Sequence, residues 1–328
     1  MVYAKNVSNN LIKNIMKKKI VILIAIIIAL GLSVWGLTNY QNQRNRVNLS
    51  NKVKVVTTLF PLYDMAKNIG GDKADVSQLL PPGVEAHSFE PKPSDIVKIN
   101  EADIFIYTGK FMEPWVEDIL KSVANKNLIV VDASQDTKMI PGVFHDEDEP
   151  AGSLDPHIWL DFDNAKIMLN NIKNGFVKAD GNNYAIYQQR VNDYENELTN
   201  LDKKYQTALV DCQSKEIIYG GHYAFGYLAN RYSLQYLAAQ GVSPDAEPTA
   251  SDLAALVEQI KKDDIKYVFY EELTSPKIAE TIAQETSAKM LLLNAAHNLT
   301  KDQFNSGLSF FDVLNDDLDN LKIGLECK

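Results

Sequence analysis

Between Asn182 and Leu209 the chain reads as one uninterrupted amphipathic helix of about seven turns, and this segment constrains the fold more than any other. Within YAIYQQRVNDYENELTNLDKKYQTAL the residues Tyr184, Tyr187, Val191, Tyr194, Leu198, Leu201, Tyr205 and Leu209 recur in steps of three and four, which predicts one apolar side. A heptad coiled coil is the alternative, but a single isolated segment argues against it.

On either side of this helix, short apolar, β-branched runs alternate with helical segments, the pattern of βαβ units around a parallel sheet. Before it come VKVVTTLF (Val53–Phe60), Ala74–Leu80, IFIY (Ile104–Tyr107) and LIVVD (Leu128–Asp132), with helices over Pro61–Ile69, Lys92–Asn100 and Trp115–Ser122. After it come EIIYG (Glu216–Gly220), SLQYLA (Ser233–Ala238), YVFYE (Tyr267–Glu271) and MLLLN (Met290–Asn294). Helices are expected up to Tyr232, over Ser251–Lys262 and Ser275–Thr286, and finally to about Leu321. The fold class is therefore α/β: two α/β lobes with parallel sheets, residues 53–181 and 211–328, joined by one long helix in 182–210.

Residues 1–52 are of a different character. From Ile20 to Leu37 the sequence IVILIAIIIALGLSVWGL carries no charge, and Lys13 and Lys17–Lys19 stand just before it. The run is long enough for a bilayer core of roughly 30 Å and longer than a usual signal-peptide core. It predicts a cytoplasmic basic segment, a membrane-anchoring helix and a polar tether (Asn39–Asn51), with the lobes outside the cytoplasm. Secretion after signal cleavage is the alternative. Eight of the 33 Lys/Arg and none of the 43 Asp/Glu lie in residues 1–52, which leaves the remainder at a net −18. So acidic a body excludes a nucleic-acid partner, whose binding rests on phosphate neutralisation, and suits a cationic ligand.

Four of the five histidines occupy one kind of position. His87 lies beyond a strand in QLLPPGVEAH, and His157 lies in DPHIWLD ahead of a helix. His222 follows EIIYGG directly, and His297 follows MLLLNAA. In open α/β sheets the ligand crevice lies outside the carboxyl ends of the strands. Separations of 70, 65 and 75 residues exclude a local zinc knuckle and point to a site assembled in the cleft between two lobes. Gly220-Gly221 suggests an unusual turn and a close approach to the ligand, and Asp155-Pro156 a turn that aims His157. Glu85, Asp161, Asp163 and Glu272 are candidates to orient the imidazoles, with capping of the next helix as the other use of Asp161 or Asp163. His145, in the acidic stretch HDEDEP, is expected to be a solvated loop residue. Cys212 and Cys327 are a possible disulfide in an exported protein, tying the C-terminal tail to the second lobe.

PPGVEAHSFEPKPSDI, DPHIWLD, GGHYAFGYLANRY, SPDAEPTASDLAALVEQIK and LLLNAAHNLT, in that order, resemble the successive motifs of the zinc- and manganese-binding solute-binding proteins of bacterial ABC importers. The resemblance covers about Val53 to Leu321 and implies a rigid connecting helix, metal held between the lobes, and a monomer that delivers its ion to permease subunits. The family's first three ligand positions fall on His87, His157 and His222. Its fourth is usually a carboxylate in an LNPLE-like segment; here LNAAH puts His297 there. No Cys precedes Cys212, so the lipid attachment common among relatives is not expected, and the apolar helix takes its place.

Four imidazoles favour Zn2+ as the carried ion over Mn2+ or Fe2+, because carboxylate and water ligands suit manganese better. Two rivals come from other classes. A zinc-dependent hydrolase needs an open coordination position and a general base, and neither HExxH nor GxSxG is present. A surface adhesin would use the same fold.

Overall fold

The computed structural model describes residues 31–37, 52–142, 154–242, 244 and 248–328. Most of the apolar run Ile20–Leu37, the tether Asn39–Asn51 and His145 lie outside the described residues. Residues 31–37 are helical, and among the described residues no helix is long and apolar enough to cross a membrane. Residues 53–328 form one compact unit, separate from 1–52.

Within that unit stand two four-stranded parallel sheets of the same winding. The first runs β2-β1-β3-β4, from β1 (Val53–Thr57), β2 (Ala74–Gln78), β3 (Ile104–Tyr107) and β4 (Ile129–Asp132). The second runs β6-β5-β7-β8, from β5 (Glu216–Tyr219), β6 (Gln235–Ala238), β7 (Tyr267–Tyr270) and β8 (Lys289–Leu292). Parallel neighbours need crossovers. Helices α1 (Phe60–Gly70), α2 (Pro93–Glu101) and α3 (Val116–Ser122) make them in the first lobe, and α6 (Gly226–Arg231), α7 (Ala250–Asp263) and α8 (Lys277–Thr286) in the second. The helix expected after DPHIWLD is α4 (Phe162–Ala179), and α9 (Lys301–Ser306) and α10 (Phe310–Gly324) close the chain.

The connecting helix α5 spans Tyr184–Leu209. Seven of its eight expected apolar-face residues are buried; Tyr184, in the first turn, is 51% exposed. The buried stripe joins residues of both lobes into one continuous core. Arg190 donates to the Ile69 and Gly70 carbonyls at the end of α1 (3.2 and 2.6 Å), and Tyr205 donates to the Leu314 carbonyl of α10 (2.5 Å). One helix is thus fixed to the first lobe near one end and to the second near the other. Arg231 of α6 adds a third tie: it pairs with both oxygens of Asp202 on α5 (2.9 and 2.7 Å), with Asp161 (3.2 Å) and with Asp163 (3.0 Å). Cys212, just past α5, is disulfide-bonded to Cys327, which fastens the C-terminal tail.

Candidate metal centre

The four histidines, distant in sequence, converge at the seam between the lobes. Each offers one ring nitrogen, and these atoms lie within 4.8 Å of one another. His157, His222 and His297 are buried, and His87 is half-buried. Nε2 of His157 is 3.3 Å from Nε2 of His87 and 3.3 Å from Nε2 of His222. Four nitrogens at roughly 2.0–2.1 Å from a central zinc would stand about 3.3–3.4 Å apart along each edge of the tetrahedron. Two of the edges already have that length. Nε2 of His297 is buried without a hydrogen-bond partner, a state that a cation would satisfy.

Each histidine is carried on a segment whose shape follows from local chemistry. His87 lies within the β2–α2 loop, where the Glu85 carboxylate accepts from the backbone N–H of His87 (2.9 Å) and of Ser88 (2.7 Å). His157 precedes a short 3-10 turn, Ile158–Leu160, and its own backbone N–H donates to Asp155 (2.9 Å). His222 follows β5. Gly220 and Gly221 make this approach possible, though not by a left-handed turn: a Cβ at Gly220 would stand 2.7 Å from the Ala279 backbone, and one at Gly221 would stand 2.8 Å from the Glu271 carboxylate. His297 follows Ala296, which sits at φ 58° in the left-handed region. That conformation is held by Asn294, whose side-chain oxygen accepts from the Ala296 N–H (2.7 Å), while buried Asp317 accepts from the Asn294 N–H (2.8 Å).

Two carboxylates reach the rings themselves. Asp155 Oδ1 is 2.7 Å from His157 Nδ1, and the Glu271 carboxylate is 3.0 Å from His222 Nδ1. Accepting from the Nδ1–H in each case favours the neutral tautomer whose Nε2 lone pair faces the other histidines, the one a metal requires. Burial lowers the pKa of His87 to about 4 and holds His157 and His297 well below the ordinary imidazole value. Burial acts on His222 in the same direction, but the charge and hydrogen bond of Glu271 outweigh it and raise the pKa. Burial pushes the Asp155 carboxyl up to about 8 in the metal-free protein, against the His157 backbone hydrogen bond, and a cation at the imidazoles favours the ionised form that accepts from Nδ1. Three of the four rings are therefore neutral and ready to bind a cation near neutral pH.

The other candidates to orient the imidazoles have different partners. Asp161 caps α4, accepting from the Asp163 and Asn164 backbone N–H groups (both 2.9 Å), and both Asp161 and Asp163 pair with Arg231. Glu272 is half-buried beside Glu271, and it is the Glu271 carboxylate that reaches the His222 ring. Glu85 shapes the His87 backbone rather than its ring.

A family model described as the periplasmic component A of a zinc-uptake complex, ZnuA, matches residues 55–324. The chain belongs to the ZnuA family. It is 36% identical over 310 residues to the high-affinity zinc uptake system protein ZnuA of Bacillus subtilis (strain 168), an alignment covering 92% of this chain and 97% of that protein. It is 35% identical to the zinc-binding protein AdcA of Streptococcus pyogenes serotype M18 (strain MGAS8232), covering 94% of this chain but only 62% of that longer protein. In three dimensions it is similar to the Zn(II)-bound ZnuA-like domain of Streptococcus pneumoniae AdcA, with a TM-score of 0.72 at 32% identity, covering 84% of this chain and 99% of that domain. The two-lobed parallel-sheet architecture and the helix between the sheets are thus those of the ZnuA family.

Proposed function

We propose that this chain is the extracytoplasmic metal-binding component of an ABC importer, that it captures Zn2+ through His87, His157, His222 and His297, and that it hands the ion to a membrane permease. One observation carries the reading: four converging imidazoles, three of them buried, with 3.3 Å nitrogen separations matched to tetrahedral zinc and two Nδ1 protons already taken by carboxylates. Among the described residues no carboxylate joins the four imidazoles, which disfavours manganese and favours zinc. The fourth imidazole fills the position that a hydrolase would keep for water, so the role is carriage rather than catalysis. The lobes, 53–181 and 211–328 around 182–210, work outside the cytoplasm; the lysines and apolar run of residues 1–52 support an anchor there.

The test is metal content and competitive affinity of the purified protein challenged with Zn2+, Mn2+ and Fe2+. One tight zinc per chain supports the reading. Stoichiometric manganese or iron would keep the transport role and overturn the metal. No tight metal would overturn both.

A further inference from the structure

Glu85 ties the loop locally around His87, but the stretch that leads up to it is held from the other lobe. In QLLPPGVEAH, Pro81 and Pro82 have no N–H, and the loop turns through Val84 N–H donating to the Pro81 carbonyl (3.1 Å), with Gly83 at φ 86° as a type II turn demands. At Pro81 and Val84 its support comes from across the seam, from the residue next to His297. Asn298 is fully buried, and its amide donates both protons to this loop, to the Pro81 carbonyl (2.7 Å) and the Val84 carbonyl (2.9 Å). Its oxygen accepts from Gln78 Nε2 (2.9 Å) at the end of β2 and from the Leu299 N–H (2.9 Å). All four hydrogen-bonding positions of the side chain are filled. The Gly83 N–H adds a bond to the Leu299 carbonyl (2.8 Å).

Resting on the zinc reading above, we infer that Asn298 is a positioning residue for zinc capture, a latch from the second lobe that holds the His87 loop of the first lobe in coordinating register. His297 and Asn298 then set two of the four ligands together, one directly and one through the loop. His87 is the least buried of the four and depends most on such support. A ligand held only by a free loop has to be ordered when the ion arrives, and that entropy weakens binding.

The experiment is a double-mutant cycle on the full chain, with zinc affinity read by chelator competition for wild type, His87→Ala, Asn298→Ala and the double variant. Asn298→Ala is expected to weaken zinc about 10- to 100-fold, the range for outer partners of a metal ligand. The double variant is expected to bind no more weakly than His87→Ala alone, because without the ring there is nothing left to position. Amide exchange at Gly83 and His87 should quicken in metal-free Asn298→Ala. Gln78→Ala removes one bond that orients the Asn298 amide from the rim of the seam; it is expected to weaken zinc in the same direction by less, and it carries the cycle should Asn298→Ala fail to fold. Losses that multiply in the double variant, or an Asn298→Ala affinity within twofold of wild type, would overturn the latch. With wild type tight and His87→Ala weak, that result leaves the zinc site standing; a wild type that binds no zinc removes the site and the latch together.

Discussion

Replacing His297 by Ala tests the ligand that departs from the usual carboxylate. Structural zinc sites are worth about 10–16 kcal/mol in total, so one ligand of four represents roughly 2.5–4 kcal/mol. At about 1.4 kcal/mol per decade that is roughly a 10²- to 10³-fold loss of affinity. Two features of the structure push the loss toward the lower end. The remaining nitrogens of His87, His157 and His222 keep their 3.3 Å contacts, His157 and His222 keep their carboxylate partners, and a water entering the space left by the ring can complete the tetrahedron. The fold should survive, because the interlobe bonds beside His297 use its backbone and neighbours: Phe60 N–H donates to the His297 carbonyl (3.1 Å) and Trp159 Nε1 donates to the Ala295 carbonyl (2.8 Å). The assay is competition for zinc against a chromogenic chelator near pH 7.5, with thermal unfolding of the metal-free protein as control. An affinity within threefold of wild type, in a protein that melts normally, would refute His297 as a ligand and with it the four-imidazole argument for zinc.

Four further outcomes follow from the same geometry. His222→Ala should also weaken zinc by orders of magnitude, measured in the same competition, whereas His145→Ala should change it little. Asp155→Ala should cost about 10- to 100-fold in zinc affinity by freeing the His157 ring; an unchanged constant would show that the carboxylate is dispensable. On acidification, the lowered pKa values of His87, His157 and His297 keep three rings neutral, while His222, its pKa raised by Glu271, takes up a proton first. Affinity should therefore fall by about one decade per pH unit below the raised pKa of His222, against the several decades expected of four ordinary imidazoles titrating near pH 6.5, and isothermal titrations from pH 7.5 to 5.5 would read the slope. Cys327→Ser opens a loop of 115 residues, worth about 4.8 kcal/mol in the chain-entropy model, so the melting temperature should drop by roughly 8 °C; a shift under about 2 °C would mean the tail is held by other contacts.

The four histidines that converge were legible in the sequence and their supports mostly were not, for a physical reason. A histidine just beyond an apolar strand marks the crevice end of a sheet, and that signal needs only local periodicity. The carboxylates that orient the rings depend on which strands are neighbours and on side-chain parity. Glu271 and Glu272 are adjacent, and only the pairing of β5 with β7, Tyr219 opposite Phe269, puts the inward one beside His222. The motif DPH already held Asp155 two residues from His157, but it reads as a turn until the side chain is seen to reach Nδ1 as well as the backbone. Asp161 and Asp163 look like partners by proximity in sequence, yet helix capping and Arg231 claim them. The connecting helix was legible because its period is long and clean; its first residue, Tyr184, fits the period but lies beyond the core that the stripe covers.

The seam also decides how the ion enters and leaves. Parting the lobes as rigid bodies would break the Trp159–Ala295, Phe60–His297 and Tyr227–Asp155 hydrogen bonds and strip Arg231 from Asp161 and Asp163. At about 1 kcal/mol net for each neutral bond, that is already several kcal/mol before any apolar contact is lost, and the α5 stripe, continuous with both cores, resists it further. Lifting the His87 loop leaves the α5 stripe and the Arg231 pairs in place and breaks the two Asn298 bonds, the Gly83–Leu299 bond and one ligand. Exchange through that loop requires no wide hinge, so small-angle scattering of metal-free and zinc-loaded protein should superimpose, while zinc dissociation in Asn298→Ala should quicken in step with its loss of affinity. A clear expansion of the metal-free form would refute this, because it would show that the lobes part in spite of the ties across them.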